Sequence, residues 1–325
     1  MNSFFLSVDV TDGDEPEDEP VVFHKRTIMS KMSLREIAYT IGHFGFAKSP
    51  YPIIISLENN CKRLDSMRLA AAIFRDELAD RLITGPLTGP EEAAMPSPEA
   101  LKGRIIIKGK RLPEVKEGTN LAKLEEEKNL AKELSDLVWY CSSRHFDLDT
   151  SGWAYTAMAS VEESKSLKTA SKKLAHYRAY TGRHLARVYP FGLRFFSGNY
   201  DPLEHWQAGA QLVALNYQTA GNPMLLNRAL FARNGSCGYV LKPEPILLKS
   251  KEVKGARQLT VTVRVLCGFR LPAIRGCGDI LDPFVELRLF GVKRYYRERR
   301  RTKTVNNNGK DLETNKVFKL KKISF

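Results

Sequence analysis

Cysteine is scarce in this sequence. The 325 residues hold five (Cys61, Cys141, Cys237, Cys267 and Cys277), an odd number with no pair at metal-ligand spacing. That pattern excludes a disulfide framework and a cysteine zinc site, and it fits a reducing cytosol. Long apolar runs are missing too. No stretch approaches the roughly 18–20 residues that a membrane-spanning helix needs. The opening Met-Asn-Ser-Phe-Phe-Leu-Ser-Val is too short for a signal-peptide core and runs into acids rather than a cleavage site. Acid is the third deficit. Against 51 Lys and Arg stand 37 Asp and Glu, leaving a formal charge of +14, which favours anionic partners: membrane lipid, phosphorylated ligands or nucleic acid. The imbalance is uneven. Asp9 to Glu19 carries seven carboxylates and no base, whereas Lys293 to Lys303 carries seven bases and one acid, Glu298. The basic block reads either as a solvated loop or as a contact for anionic headgroups. No aromatic-interleaved recognition motif accompanies it, so a nucleic-acid partner is not expected.

What is present is an alternation of short strands and longer helices. Phe4–Val10 and Val21–His24 read as strands, and Ser33–Phe46 as a helix with Ser33 as N-cap and Glu36 three residues on. Pro52–Leu57 is a continuous apolar β run of the kind buried on both faces of a parallel sheet. Ser66–Ile83 places Met67, Ala70, Ala71, Phe74, Leu78 and Leu82 along one helical stripe. Arg104–Lys108 and Leu134–Cys141 read as strands, Glu163–Tyr189 as helical, Gln211–Tyr217 as a β run and Gly238–Lys242 as a short strand. The Lys- and Glu-rich stretch between residues 113 and 132 reads as a solvated linker. Strands alternating with helices over this length indicate an α/β fold, most economically a (β/α) barrel. From Gln258 the pattern turns to two-residue alternation, the habit of an antiparallel sandwich.

Barrel enzymes carry their chemistry at the C-terminal ends of the strands. Polar residues ending apolar runs are therefore the informative ones: Asp9, His24, Glu58, then Lys108 and Lys110, whose two-residue spacing puts both amines on one face of a strand. Arg187 and Tyr189 repeat that spacing. Each residue alone has an ordinary structural reading, as a turn cap, a hydrogen-bonded strand end or a solvated charge. Together they offer two carboxylates for a hard cation, an imidazole and a group of cations, a set suited to metal-assisted displacement at phosphorus on a multiply phosphorylated substrate.

Several long strings sharpen this reading. Val21-Val-Phe-His24-Lys-Arg-Thr-Ile-Met-Ser-Lys31, Ser49-Pro-Tyr-Pro-Ile-Ile-Ile-Ser-Leu-Glu58-Asn-Asn-Cys61 and Leu101-Lys-Gly-Arg-Ile-Ile-Ile-Lys108-Gly-Lys110 resemble the X-region of phosphoinositide-specific phospholipase C. Glu133-Leu-Ser-Asp-Leu-Val-Trp-Tyr-Cys141, Arg187-Val-Tyr189-Pro190, Gln211-Leu-Val-Ala-Leu-Asn-Tyr-Gln-Thr219 and Asn234-Gly-Ser-Cys-Gly-Tyr-Val-Leu-Lys-Pro243 resemble its Y-region. Asp282-Pro-Phe-Val-Glu-Leu287 and Arg301-Thr-Lys-Thr-Val-Asn-Asn-Asn-Gly309 are similar to the start of the C2-type sandwich that follows the barrel.

The resemblance implies an incomplete (β/α)8 TIM-like barrel followed by a truncated all-β C2-type sandwich. Residues 1–112 would form the C-terminal part of the X half-barrel, 113–132 the X–Y linker, 133–250 the Y half-barrel and 251–325 a partial C2-type domain. It implies His24 as general acid toward the diacylglycerol oxygen, and Glu58 as a calcium ligand that also helps deprotonate the inositol 2-hydroxyl. Asp9 becomes a second calcium ligand, Lys108, Lys110, Ser160 and Arg187 grip the ring phosphates, and Tyr189 packs on the inositol ring. The implied activity is Ca2+-dependent hydrolysis of phosphatidylinositol 4,5-bisphosphate to diacylglycerol and inositol trisphosphate. It would take place on phosphoinositide lipids of the cytosolic leaflet, by a cytoplasmic, peripherally bound protein. Three departures accompany the matches. The family's Ser-His-Asn-Thr-Tyr segment, with its first catalytic histidine, is not in the sequence, Ser7 stands where a ligating glutamate is usual, and Lys25 follows His24 where glycine is usual. Both ends therefore read as cut, with sheet edges and core left exposed. A catalytically inactive phosphoinositide-binding relative is the alternative.

Overall fold

The computed structural model describes residues 5–23, 30–89, 91–114, 117–192, 194, 197–247, 258–269, 271, 281–291, 297–306 and 311–324. They fall into two units, Met1–Leu247 and Leu248–Phe325. The first unit runs β1 (Phe5–Thr11), β2 (Val21–Val22), β3 (Met32–Ser33), α1 (Leu34–Phe44), β4 (Ile53–Asn59), α2 (Leu64–Leu78), β5 (Ile105–Gly109), α3 (Leu121–Lys128) and α4 (Lys132–Ser135). It continues through β6 (Cys141–His145), β7 (Ala157–Glu162), α5 (Glu163–Thr181), β8 (Leu185–Tyr189), α6 (Leu203–Gln207), β9 (Leu212–Val213), α7 (Asn222–Phe231) and α8 (Glu244–Leu247). All nine strands join one sheet in the order β3-β2-β1-β4-β5-β6-β7-β8-β9. Strand β1 and strands β4 to β9 are parallel to one another. Strands β2 and β3 add antiparallel at one end.

Strand parity divides the core. Val8, Ile53, Ile55, Ile105 and Ile107 lie on one face and pack against Leu34, Ala38 and Ile41 of α1 and Met67, Ala70, Phe74 and Leu78 of α2. Ile54, Ile106, Cys141 and Met158 lie on the other face, clustered with Phe5, Leu185 and Leu212. Burial on both faces is why these strands read as unbroken apolar runs. Ser33 caps α1, its Oγ accepting the Glu36 N–H at 3.4 Å, which satisfies one of the unpaired donors of the first turn. Helix α2 stops at Leu78, before the sequence pattern ends, because Ala79 turns the chain with φ of 45°. Leu82 then joins the sheet by a bridge to Ile105.

Four elements differ from their sequence reading. Gln211–Tyr217 is strand only at Leu212–Val213, with the chain turning after it. Leu134–Cys141 forms no strand over most of its length: α4 opens it and the strand begins only at Cys141. Leu134, Leu137 and Val138 are all buried, and their three- and four-residue spacing is that of a helical turn. The helix read to Tyr189 ends at Thr181 with Gly182 as its C-cap, after which Ala186 and Val188 alternate into β8. Gly238–Lys242 is irregular. It is held by the Tyr239 hydroxyl donating to the Pro52 carbonyl at 2.8 Å and by Ser49 Oγ donating to the Cys237 carbonyl at 3.0 Å. Within the Lys- and Glu-rich stretch, Glu125 of α3 is buried and accepts from Arg68 at 2.9 Å and from the Lys132 N–H at 2.6 Å.

The sheet does not close on itself among the described residues. Strand β2 pairs with β1 only through Val10 and Thr11. A cavity of about 710 Å3 is lined by Leu6, Val8, Val22, Met32, Ile37 and Ile41, so apolar surface lies open beside the rest of β1.

A buried polar knot joins α5 to α6. Ser166 Oγ lies 2.8 Å from His205 Nδ1 and 2.9 Å from the Tyr177 hydroxyl, and all three residues are buried. Burial pushes the His205 imidazole down to about 4 from an ordinary 6.5, although Glu163 and Asp201 pull the other way. The unfolded chain therefore binds a proton that the native fold refuses between those two values. Stability is fully present above about pH 6.5 and falls by roughly 3 kcal/mol as pH drops toward 4. In His205→Gln the fall in urea midpoint over this window should flatten. An unchanged slope would place the acid lability elsewhere.

The second unit contains β10 (Gln258–Phe269), β11 (Glu286–Phe290), β12 (Arg297–Arg301) and β13 (Asp311–Ser324). Strands β10 and β13 form one antiparallel ribbon, and β11 and β12 form another.

Candidate active site

Register brings the sequence-singled residues together. In parallel β1 and β4, Asp9 is the Cα partner of Glu58 and Ser7 that of Ser56. Ser56 pairs in turn with Lys108 of β5, and across β7 and β8 Ser160 pairs with Arg187 and Glu162 with Tyr189. Paired residues in neighbouring strands project to the same side of a sheet. Asp9, Glu58, Lys108, Ser160, Arg187 and Tyr189 therefore share the face that carries Ile54, Ile106, Met158 and Leu185 lower down. The apolar layer fills the N-terminal half of that face, and the polar residues stand on it toward the C-terminal ends of the strands, where such folds hold their reactive groups. Lys110 follows directly after β5 and is exposed. His24 and Lys25 lie outside the described residues.

The electrostatics of this rim are unusual for a structural cluster. Lys108 is only 8% exposed, and its Nζ donates to Ser56 Oγ at 3.3 Å. Burial, reinforced by the charge of Arg187, holds its amine below the usual lysine range, with Glu58 opposing. Burial likewise depresses Arg187, with Glu58 the largest opposing influence. The guanidinium carbon sits 5.3 Å from the Phe5 ring centre and 5.7 Å from that of Tyr189. Arg187 Nε and Ser160 Oγ are shielded from solvent with no hydrogen-bond partner. Buried cations are normally neutralised by a carboxylate, because desolvating a lone charge is costly. Two neighbouring cations, with orphaned donors between strands, form a socket that an anion with several oxygens would complete.

Asp9 and Glu58 offer hard carboxylate oxygens side by side, the donor type that calcium or magnesium takes. The described residues hold no group of three or more metal-ligating side chains. Ser7, two residues before Asp9 on the same face, supplies a hydroxyl where a third carboxylate would complete the row. Calcium takes about six to eight oxygens, so these two carboxylates fit a cation that draws its other ligands from water and a bound phosphate.

Sequence reading passed over Ser56, which is fully buried and orients Lys108. The two-residue parity that linked Lys108 with Lys110 would have found it by stepping back from Glu58. Glu162 shares the rim but has another task, its carboxylate accepting the Ser164 N–H at 2.6 Å to cap α5.

The sheet and the sequence that forms it have counterparts among known proteins. A family profile described as phosphatidylinositol-specific phospholipase C, X domain, matches residues 5–111, and one for the Y domain of the same enzyme matches residues 134–245. The 1-phosphatidylinositol 4,5-bisphosphate phosphodiesterase delta-1 of Homo sapiens is 35% identical over 94% of this chain and 45% of its own length. Inactive phospholipase C-like protein 1 of Homo sapiens is 33% identical over 93% of this chain and 30% of its own. The crystal structure of S. officinalis PLC21 superposes with a TM-score of 0.82 at 28% identity, covering 98% of this chain and 43% of that one. The chain thus spans less than half the length of these relatives. Two profiles in consecutive order, a shared fold of TIM-like barrel type and relatives aligned over nearly the whole sequence place this chain in the phosphatidylinositol-specific phospholipase C family of phosphodiester hydrolases.

Proposed function

We propose that this chain carries the phosphoinositide-binding rim of a calcium-dependent phosphodiesterase that converts phosphatidylinositol 4,5-bisphosphate to diacylglycerol and inositol trisphosphate. The observation that carries the reading is the buried Lys108 and the half-buried Arg187, on the same rim as the Asp9–Glu58 carboxylate pair. Lys108, Lys110, Ser160 and Arg187 hold the ring phosphates, and Tyr189 packs against the ring, fixing the 2-hydroxyl for in-line attack. Glu58 accepts the proton of that hydroxyl. As its oxygen bonds to phosphorus, the bond to the diacylglycerol oxygen breaks and His24 supplies the leaving oxygen with a proton. Water then opens the resulting cyclic phosphate. Asp9 and Glu58 are the residues to hold calcium, which when bound lowers the pKa of the hydroxyl and offsets charge on the phosphoryl oxygens.

The protein acts at the cytosolic face of membranes, bound peripherally. No helix among the described residues is long and apolar enough to cross a membrane. The antiparallel ribbons of the second unit belong to a C2-type domain in this reading, and nucleic acid is not a partner.

A specific observation also favours a non-catalytic binder. The described rim offers two metal-ligating carboxylates, with Ser7 in the neighbouring position, and an inactive phospholipase C-like protein is among the relatives. One experiment separates the readings. Titration of the chain with inositol 1,4,5-trisphosphate should show binding that Lys108→Met removes, followed by an assay for trisphosphate release from phosphatidylinositol 4,5-bisphosphate micelles with calcium. Binding with release supports the enzyme and binding without release supports the binder. No binding would sink both.

A further inference from the structure

The residues that grip phosphate stand on strands that are not all neighbours. Lys108 lies on β5 and Lys110 directly follows it, Ser160 lies on β7 and Arg187 on β8, while β6 runs between β5 and β7. Whatever β6 presents on the rim face therefore stands in the middle of the cation set. Register says which side chains those are. Ser143 is the Cα partner of Met158 and His145 that of Ser160, and Ser160 pairs in turn with Arg187. Met158 belongs to the apolar layer of the rim face, as does Cys141 at the start of β6. Cys141, Ser143 and His145 thus share that face at two-residue intervals. Burial falls along the strand in the same order: Cys141 is buried, Ser143 partly buried and His145 exposed. His145 is the third member of a row that crosses three adjacent strands to Ser160 and Arg187, at the open end of the sheet face.

We propose that His145 is a further contact for the phosphorylated headgroup, and that it grips phosphate more tightly once its imidazole is protonated. The inference rests on the reading of the rim given above and adds a pH response to that site. A phosphate group offers three acceptor oxygens. Arg187 Nε and Ser160 Oγ, both without a hydrogen-bond partner, meet them from the β7–β8 side, and the oxygens turned toward β6 face His145. Imidazole is the side chain whose ordinary titration falls between pH 5 and 8, so it can add or withdraw a charge where a guanidinium cannot. The other titratable groups come from each neighbouring element: Lys108 and Lys110 from β5 and its end, Glu162 from β7, Arg187 and Tyr189 from β8. Asp147 and Asp149 follow β6 in the chain, and Lys165 of α5 donates to the Phe146 carbonyl at 3.5 Å. The acids are engaged elsewhere, Glu162 accepting the Ser164 N–H and the two aspartates the N–H groups of Asp149 and Ser151. Positive charge therefore prevails around His145, which suits a phosphate ligand.

The test is calorimetric titration of the full chain with inositol 1,4,5-trisphosphate at about pH 8 and about pH 6.5, a window in which imidazole titrates while phosphates keep most of their charge. The parent chain should bind about fivefold more tightly at the lower pH, the upper worth of an exposed ion pair. In His145→Gln, which keeps a hydrogen-bonding group but cannot charge, affinity should be the same at both. His145→Lys carries its charge throughout, so at about pH 8 it should bind about fivefold more tightly than the parent, a gain that misfolding would not produce. A pH slope that survives in His145→Gln would come from another group, such as Lys108, whose amine burial holds low, and would overturn the proposal. So would a lysine variant no tighter than the parent. If Lys108→Met removes binding while His145→Gln keeps the parent's slope, the rim reading stands and His145 leaves it. Absence of binding by the parent chain at either pH would take both down.

Discussion

Arg187→Met is expected to weaken inositol trisphosphate binding roughly 30-fold or more while raising the melting temperature of the unliganded protein. The two effects share one cause. Arg187 is a cation pressed into the sheet face between the rings of Phe5 and Tyr189, depressed by burial and carrying a shielded Nε without a partner. Glu58 and Asp9 act on it through their charge, against the depression by burial. In the unliganded fold that charge is a liability. Replacing buried ionic groups with apolar residues of similar size is typically neutral or stabilising by about 1–4 kcal/mol. Methionine keeps the length and packs well against aromatic edges. With a phosphate bound, the same guanidinium becomes one half of a desolvated ion pair, and losing it costs about 2–5 kcal/mol, a weakening of roughly 30-fold or more. An arginine kept for structure would behave oppositely, losing stability and leaving ligand affinity nearly unchanged. Calorimetry of the variant with and without trisphosphate reads both quantities. A lowered melting temperature with intact binding would refute the assignment of Arg187 to the phosphate grip.

Glu58→Gln should part the metal from the headgroup. Asp9 and Glu58 are register partners, so removing one charge halves the carboxylate charge available to a cation. Since calcium affinity follows ligand charge, a loss of about 10- to 100-fold is expected. Terbium luminescence competed by calcium would measure it, and Asp9→Asn should give the same result. Trisphosphate binding in the presence of a chelator should survive, because Lys108, Ser160 and Arg187 remain in place. Glu58 is nevertheless the anion that opposes the depression of both cations. In the variant the Lys108 amine moves further down, so its charge, and the binding that depends on it, is lost at a lower pH than in the parent chain. Calcium affinity unchanged in both variants would remove these two residues from the metal site.

Much of this architecture is local, and local patterns were legible. Ile53 to Leu57 and Ile105 to Ile107 are buried on both faces, so their unbroken apolar runs could hardly be anything but central strands. A polar residue ending such a run, as Glu58 and Lys108 do, announces the functional rim of a parallel sheet without any knowledge of neighbours. The stripe of α2 from Met67 to Leu78 was equally plain, since helical periodicity needs no partner to be seen. Reading failed where a segment's form depends on distant contacts. Leu134 to Val138 folds as a short helix and turn, and its apolar side chains join the α2 side of the core. Residues 238–242 stay irregular because Tyr239 and Cys237 are tied to Pro52 and Ser49, nearly two hundred residues earlier in the chain.

The candidate site divides along the same line. Residue types and their order along the chain, two carboxylates and a series of cations at the ends of apolar runs, follow from the one-dimensional pattern, because that pattern sets which side chains a strand can present. Which of them touch is a matter of register. Asp9 beside Glu58, Ser56 beneath Lys108 and Ser160 beside Arg187 are pairings between strands, set by how each strand slides against the next. A slip of one residue would send every one of these side chains to the opposite face. The same holds for the second unit: Glu286 and Arg299, 13 residues apart, meet only once β11 and β12 pair. Charge and hydrophobic order are properties of the chain. Proximity, desolvation and the shifted protonation that follows from them arise only when strands distant in sequence are packed together, because burial and Coulomb energy depend on separation in space.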